Sequence, residues 1–178
     1  MTHGPPYTES VLTWLDVLAL FSAAAATAVG VRKGVSFFFV FPLALGLFAF
    51  AIFGLHLAPM FWPVAGLLSG LIAAYLAGRW YVYLSEFWDG LLGGIAGFVW
   101  GMLLAISLWV GLPADYSLAT GAYRYPSPDL PLVVQEAVVK SPFALPLFKR
   151  MQQLPLAREF FIEARVVPPD VQASPPAP

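Results

Sequence analysis

The chain has 178 residues, of which 60% are hydrophobic and only 11% are charged, and its formal net charge is −1. A soluble domain usually has about a quarter of its residues charged, so this chain has too few ionic groups to cover a surface that faces water. The near-neutral charge gives no support for a nucleic-acid partner. The absence of cysteine excludes disulfides, thiolate metal ligands and thiol catalysis. The composition predicts a membrane protein whose main partner is the lipid bilayer.

The first hydrophobic segment is Leu12–Val31, and it contains one acidic residue, Asp16. An Asp at the centre of a span costs about 3 kcal/mol, and each Leu or Phe returns about half a kcal/mol, so the segment is still predicted to cross the bilayer. The residues before it contain no Lys or Arg, which the first region of a secretory signal peptide needs. We therefore expect this first helix to be retained.

The next stretch, from Gly34 to Gly78, contains no Asp, Glu, Lys or Arg. One span needs about 20 apolar residues, so the stretch is predicted to hold two spans with a proline-containing turn between them. The second span is predicted at Val35–Leu55 and the third at Met60–Gly78. Pro42 lies inside the second span and predicts a kink there or a helix that begins near it.

A second gap in charge holds the fourth predicted span, Leu91–Leu112. The predicted fold is therefore an all-α, polytopic membrane protein with a four-helix transmembrane domain over residues 1–112. Trp100, in mid-span, is expected to pack against a neighbouring helix. Other aromatic residues near the predicted helix ends are expected in the headgroup layer, where amphipathic rings are favoured: Trp14, Phe61, Trp62, Trp80, Tyr81, Tyr83, Trp88 and Trp109.

Basic residues predict the orientation of the spans. Arg32 and Lys33 lie between the first two spans and Arg79 lies between the third and fourth, whereas the N-terminal segment and the turn near His56 have no Lys or Arg. Cytoplasmic loops carry an excess of Lys and Arg, so both odd-to-even connections are predicted in the cytoplasm and both termini outside it.

The tail after Leu112 is broken into short pieces by prolines. Residues 113–166 are predicted to form a proline-interrupted amphipathic tail, with helical segments at Leu132–Val139 and Leu147–Glu163, the second interrupted at Pro155. These segments are expected to lie on the bilayer surface or against the bundle. Residues 167–178 are rich in proline and are predicted to be disordered.

Glycines recur at intervals of four in two of the predicted spans. Gly93, Gly97 and Gly101 lie on one face of the fourth span, and Gly66 and Gly70 make a similar step in the third. Glycine permits close approach of helix backbones in lipid. The rows predict packing between helices three and four within one molecule, with dimerisation as the alternative.

Asp16 is the one acidic residue within a predicted span, and intramembrane carboxylates are functional candidates. Its position predicts the outer interface, with a hydrogen bond to another helix end or to water. Arg32 is sixteen residues further on, about 24 Å along the helix, which excludes an ion pair with Asp16 within the helix. A role in positioning the helix is preferred to proton transfer, so Asp16→Asn is expected to be mild and Asp16→Leu damaging.

The sequence does not predict an enzyme. It has no HExxH motif, no phosphate-binding loop and no pair of aspartates within the spans. No catalytic residue, metal ligand or cofactor site is assigned, and the expected partners besides lipid are other membrane proteins or a second copy of the chain.

Several short motifs occur in an order that resembles the CvpA (colicin V production protein) family. They are Trp14-Leu15-Asp16 at the first span, Gly30-Val31-Arg32-Lys33-Gly34 after it, the run Asp89-Gly90-Leu91-Leu92-Gly93-Gly94 that continues to Gly97 and Gly101, and Ser141-Pro142 in the tail. The family has basic residues where this chain has Gly90 and Trp100, which puts conservation of the family's activity in doubt.

The resemblance implies a bacterial inner-membrane protein needed for colicin V (toxin) production or export, with links to secretion and envelope homeostasis. It implies a non-enzymatic partner or scaffold, in which Asp16, Arg32, Lys33 and Asp89 are the candidate functional polar residues. The alternative is a small transporter or channel subunit. A solute pathway would have to use the few polar side chains of the spans: Asp16, Ser22, Thr27, Ser36, Ser69 and Ser107.

Overall fold

The computed structural model describes residues 11–80, 84–118, 121–154 and 164–167. Four helices are long and apolar enough to cross a membrane, which confirms the predicted all-α membrane fold. They are α1 (Trp14–Lys33), α2 (Val35–Ala49, continued by a π-helical turn at Phe50–Gly54), α3 (Trp62–Ala77, preceded by a 3-10 turn at Pro59–Phe61) and α4 (Glu86–Val110).

The predicted start of the fourth helix was wrong by five residues, since α4 begins at Glu86 and not at Leu91. The prediction placed the helix inside a gap between charged residues and so left out Glu86 and Asp89. Both lie in the first turn of α4, where the helix dipole favours acidic side chains. α2 begins at Val35 as predicted, with Pro42 inside it, so the alternative start near Pro42 is excluded.

α4 is the central helix of the bundle. It runs antiparallel to α1 along the whole length of both helices, with Gly30 beside Gly93 at one end and Ala23 beside Gly101 further along. Its other side faces α2 and α3 across an apolar core that includes Trp100. The Trp100 ring meets two phenylalanine rings of α2 edge-on, so this residue packs between helices as predicted.

The described part of the tail forms two short helices and a small sheet. The helices are α5 (Leu132–Lys140) and α6 (Ala144–Gln153), and the strands are β1 (Ala114–Ser117), β2 (Ala122–Arg124) and β3 (Ala164–Val167). β1 lies in the middle of the sheet, antiparallel to β2 and parallel to β3. The sequence analysis did not predict the sheet, because strands of three or four residues without apolar alternation leave little trace in a sequence.

The predicted tail helices agree with the structure in part. α5 coincides with the first predicted segment, whereas α6 begins at Ala144, three residues before the predicted start. The stretch from Pro155 to Glu163 and the proline-rich end after Val167 lie outside the described residues.

The tail packs against one end of the bundle. Ala137, Val138, Ala144 and Phe148 share a buried cluster with residues of α1 and α4 that includes Trp109. Of the two predicted locations for the tail, contact with the bundle is the one that the structure shows for α5 and α6.

Candidate functional site: a buried carboxylate at the tail

Asp16 is fully buried, with 0% of its surface exposed. Its two carboxylate oxygens accept four hydrogen bonds, from the backbone and side chain of Thr13, the indole of Trp109 and the hydroxyl of Ser141. These four residues are named the Asp16 junction below. The junction joins the start of α1, the end of α4 and the start of α6, so it connects the membrane bundle to the tail.

The first half of the junction is local to α1. The backbone N–H of Thr13 donates to Asp16 Oδ2 over 2.9 Å, and the Thr13 hydroxyl donates to the same oxygen over 2.8 Å. A helix start leaves backbone N–H groups without partners, and an acidic side chain three residues in can accept from one of them. The sequence analysis expected a bond to another helix end or to water and did not predict this local bond.

The second half comes from α4. Trp109 Nε1 donates to Asp16 Oδ1 over 3.0 Å, and the ring is only 5% exposed. The backbone carbonyl of Trp109 accepts a bond of 2.5 Å from the Tyr125 hydroxyl, and its ring lies 5.0 Å from that of Phe143. The ring of Trp109 therefore packs inside the protein, whereas the sequence predicted it in the headgroup layer. Its position at a helix end was right, but the tail covers that end.

Trp62 was expected in the headgroup layer as well and is 3% exposed. Its indole N–H donates to the backbone carbonyl of Leu57 over 2.9 Å, in the turn between α2 and α3. A bond to a nearby turn thus satisfies the polar end of this ring, which lets the ring pack inside the bundle.

Ser141 completes the junction from the tail. Its hydroxyl donates to Asp16 Oδ1 over 2.5 Å and accepts from the N–H groups of Phe143 over 3.1 Å and Ala144 over 3.0 Å. One side chain therefore satisfies backbone donors at the start of α6 and fixes that helix start to α1. The only sequence signal for Ser141 was its place in the Ser141-Pro142 motif.

The donor set decides what Asp16 can do chemically. A carboxylate is an acceptor, and all four partners donate, two to each oxygen. Each donation lowers the cost of burying the group. With its acceptor sites occupied and its surface buried, Asp16 is suited to hold structure together. The predicted hydrogen bond to another helix end is present, through Trp109.

Tyr125 belongs to the same region, outside the spanning helices. Burial raises the pKa of its hydroxyl above the ordinary value of about 10, because the charged form would lose its hydration. Its ring stacks on Phe148 of α6 with ring centres 3.9 Å apart. The neutral hydroxyl thus bridges α4 and the tail, because it donates to a carbonyl in the last turn of α4 that the helix itself cannot satisfy.

The opposite end of the bundle contains a second carboxylate, that of Asp89. Its Oδ1 accepts a bond of 2.9 Å from the Val35 backbone N–H, the first residue of α2. Gly34, the single residue between α1 and α2, has φ 62° and ψ −151°, a conformation that only glycine adopts readily. A Cβ on Gly34 would also overlap the Asp89 carboxylate. Asp89, Gly34 and Val35 are named the Asp89 junction.

Arg32 and Lys33 lie at this same end, and both are exposed. Lys33 Nζ lies 3.0 Å from the point that a Cβ on Gly78 would occupy, at the end of α3. The two basic candidate residues are therefore separated from Asp16 by the length of α1.

The glycine row of α4 packs against α1 and not against α3, so the predicted partner was wrong. A Cβ on Gly97 would overlap the Ala26 carbonyl and lie 3.0 Å from Thr27 Cα. Gly93 and Gly101 meet the α1 backbone in the same way. The spacing of the row predicts a close contact but cannot say which neighbour makes it, because several helices compete for one small-residue face.

The glycine step of α3 does face α4. Gly66 lies against Leu104 and Gly70 lies against the indole nitrogen of Trp100. These two glycines make room for large side chains of the opposing helix, whereas the α4 row lets two backbones touch.

No protein-family model, curated protein or solved structure matches this chain. Within the described residues there is no group of three His, Asp or Glu that could hold a metal ion.

Proposed function

We propose that this chain is a multi-pass protein of the bacterial inner membrane that resembles CvpA and acts as a non-enzymatic partner or scaffold in toxin production, secretion and envelope maintenance. The observation that carries the proposal is that motifs of the resemblance, far apart in the sequence, meet in space. Asp16 bonds to Ser141 across 125 positions, and Asp89 bonds to the residue after Gly34 across 54.

A third pair of motif residues joins the first and fourth helices. A Cβ on Gly30 would lie 2.9 Å from Gly97 Cα, a measure of how close the two backbones are. The acidic residues of the motifs fasten helix ends, and the glycines allow close contact between helices. This supports the resemblance, because the spacing of short glycine motifs alone does not require that they meet.

The proposal includes an orientation. Both termini lie outside the cytoplasm, so the Asp16 junction and the tail face outward and the Arg32, Lys33 and Arg79 end faces inward. The tail would then present exposed apolar residues of α5 outside the cytoplasm, among them Leu132, which is 80% exposed. An exposed apolar surface on a docked tail suits a partner or scaffold.

The two positions where the family has a basic residue and this chain does not, Gly90 and Trp100, have different surroundings. A Cβ on Gly90 would meet only Val31 Cγ1, at 4.0 Å, so a longer side chain fits there. Trp100 is 3% exposed and fills the core between α2, α3 and α4. The loss of a basic residue at position 100 is thus compensated by packing, whereas at position 90 the site is open.

The alternative, a small transporter or channel subunit, needs polar groups that are free to face a solute. The hydroxyls of Ser22, Thr27, Ser69 and Ser107 each donate to the carbonyl four residues earlier in their own helix. Asp16 is fully bonded and buried. These bonds leave little capacity for a solute, which favours the scaffold.

The test is purification of the full chain from native membranes after mild crosslinking, with identification of the proteins bound to it. The matched variant is Ser141→Ala, which weakens tail docking and leaves the spans unchanged. We expect a defined set of envelope or export proteins that decreases in the variant. Uptake of a solute by proteoliposomes that contain only this chain, with no co-purifying protein, would contradict the proposal in favour of the transporter.

A further inference from the structure

A cleft opens between α1 and α3, about mid-way along both helices. Its volume is about 270 Å³, and it runs along α1 from Phe21 to Val29 and along α3 from Leu67 to Ala74, with Trp100 at its floor. α1 and α3 both pack on α4, and small residues on their facing sides leave the space between them open.

The dimensions of the cleft match one leaflet. Eight residues of helix, from Phe21 to Val29, rise about 12 Å, and the hydrocarbon of one leaflet is about 15 Å thick. An extended acyl chain is slender enough to enter, and the lining is apolar except for Ser22, whose hydroxyl donates to the Leu18 carbonyl within α1.

Three basic residues lie beyond one end of the cleft. Arg32 and Lys33 follow Val29 by about one turn of α1, and Arg79 follows Ala74 by about one turn of α3. All three are exposed. The Lys33 ammonium lies 3.0 Å from the Gly78 Cβ position, so it bridges the ends of α1 and α3.

Arg79 is held in place at this end. Its guanidinium donates to the Tyr75 hydroxyl over 2.7 Å and lies 5.3 Å from the centre of that ring. One guanidinium nitrogen bonds to Tyr75 of α3, and the other N–H groups of Arg79 can still donate to an anion. A guanidinium and an ammonium at the same end of the bundle are both suited to bind a phosphate.

We propose that the cleft binds one anionic phospholipid, with an acyl chain between α1 and α3 and its phosphate at Lys33 and Arg79. Basic pockets between transmembrane helices bind anionic headgroups in this way. The site lies in the leaflet at the Arg32 end and is independent of the proposed scaffold function, because it uses neither the tail nor the Asp16 junction.

The test is native mass spectrometry of the full chain in detergent, titrated with phosphatidylglycerol and, separately, with phosphatidylcholine. We expect one tightly bound phosphatidylglycerol and at least about tenfold weaker phosphatidylcholine, since each nearby basic residue favours an anionic headgroup. The double variant Lys33→Gln/Arg79→Gln should remove the preference. Its control is Lys149→Gln, an exposed basic residue of α6 at the opposite end.

The cleft itself is tested by Ala25→Phe, which places a ring among its lining residues, with Ala24→Phe as the control. Both alanines are exposed, so neither change disturbs a core, but Ala24 is not part of the lining. Ala25→Phe should abolish binding of the lipid and Ala24→Phe should not.

Three outcomes would overturn the proposal. Equal binding of the two lipids, unaffected by the charge variant, would mean that the basic end has no part in recognition. Displacement of the lipid by millimolar inorganic phosphate, with no effect of Ala25→Phe, would mean a site for free anions only. A dimer that Ala25→Phe dissociates would make the occupant a second copy of the chain.

Discussion

The two ends of the α1–α4 pair each have an aspartate near a helix start, and the two side chains differ in how many groups depend on them. Asp16 is fully buried and accepts four hydrogen bonds that join α1, α4 and α6. Asp89 is partly exposed and accepts a bond from one backbone N–H, that of Val35. A lost acceptor costs most where the donors that it leaves have no access to water. The structural importance of an aspartate in this protein therefore follows from the donors around it.

The largest effect is expected from removal of the Asp16 carboxylate. Asp16→Leu would leave the Thr13 amide and hydroxyl, the Trp109 indole and the Ser141 hydroxyl without an acceptor. The Trp109 and Ser141 bonds are buried and the two Thr13 bonds are partly buried, so at about 1–3 kcal/mol for each buried donor the free energy of unfolding should fall by at least about 2 kcal/mol. The measurement is unfolding in mixed micelles by titration with a denaturing detergent. A loss below about 1 kcal/mol would show that water replaces the carboxylate.

Asp16→Asn is expected to be more harmful than the sequence analysis supposed. Each carboxylate oxygen has a partner that can only donate, the Thr13 amide on one side and the Trp109 indole on the other. The amide NH₂ of asparagine must face one of them. We expect a loss of about 1–3 kcal/mol in the same assay, and a stability equal to that of the unchanged protein would contradict the assigned bonds.

The next test concerns the contact between the glycine row of α4 and α1, which lies between the two junctions. Gly97→Leu would force a side chain into the α1 backbone, and overpacking typically costs about 1–3 kcal/mol. The control should be a leucine substitution on the same or a similar helix at an exposed position. The neighbouring Ala96 does not qualify, because it is 2% exposed and belongs to the core. Gly46→Leu is suitable, since a Cβ there has no heavy atom within 4 Å. Equal stability of the two leucine variants would show that the glycine row of α4 is not closely packed against α1.

The pH dependence of tail docking tests the role of the Tyr125 hydroxyl. Its raised pKa means that the folded protein holds this proton to a higher pH than the unfolded chain does, in which tyrosine ionises near pH 10. The contribution of Tyr125 is therefore complete below about pH 10 and decreases as the pH rises further. Tail docking, followed by fluorescence energy transfer between labels on α1 and α5, should weaken above that pH. Tyr125→Phe should dock about 1 kcal/mol more weakly and lose that part of the pH dependence; an identical pH profile would contradict the assignment.

The smallest effect is expected at the Asp89 junction. Asp89→Asn keeps an oxygen that can accept from Val35 and removes only the charge near two helix starts. The unfolding free energy should change by less than about 1 kcal/mol. A loss as large as that of Asp16→Asn would show that the two junctions are alike and that the comparison fails.

Much of the bundle could be predicted because the bilayer imposes a length on each helix. Gaps in charge located α2, α3 and α4, and a hydrophobic segment with a single acidic residue located α1. The error at the start of α4 came from treating Glu86 and Asp89 as boundaries. Asp16 was identified because an acid inside a span is costly. The identity of its partners could not be predicted, since Trp109 and Ser141 are 93 and 125 positions away.

Other features were missed because the same sequence pattern is compatible with two different structures. An aromatic ring at a helix end is typical of the headgroup layer, and Trp109 has that position, but the tail buries it. A row of small residues predicts a close contact without naming the neighbour, and Gly97 faces α1. The exposed surface that makes Gly46 a suitable control is likewise a property of the packed bundle and has no sequence pattern.

The most direct test of the role of Asp16 is hydrogen exchange of the backbone amides of α6 in Asp16→Asn and Asp89→Asn. If the Asp16 carboxylate holds the tail on the bundle, exchange at Ala144–Gln153 should rise by about tenfold or more in Asp16→Asn, the factor that corresponds to 1.4 kcal/mol. In Asp89→Asn it should stay at the level of the unchanged protein. The same slow exchange in both variants would contradict the claim that Asp16 fastens the tail.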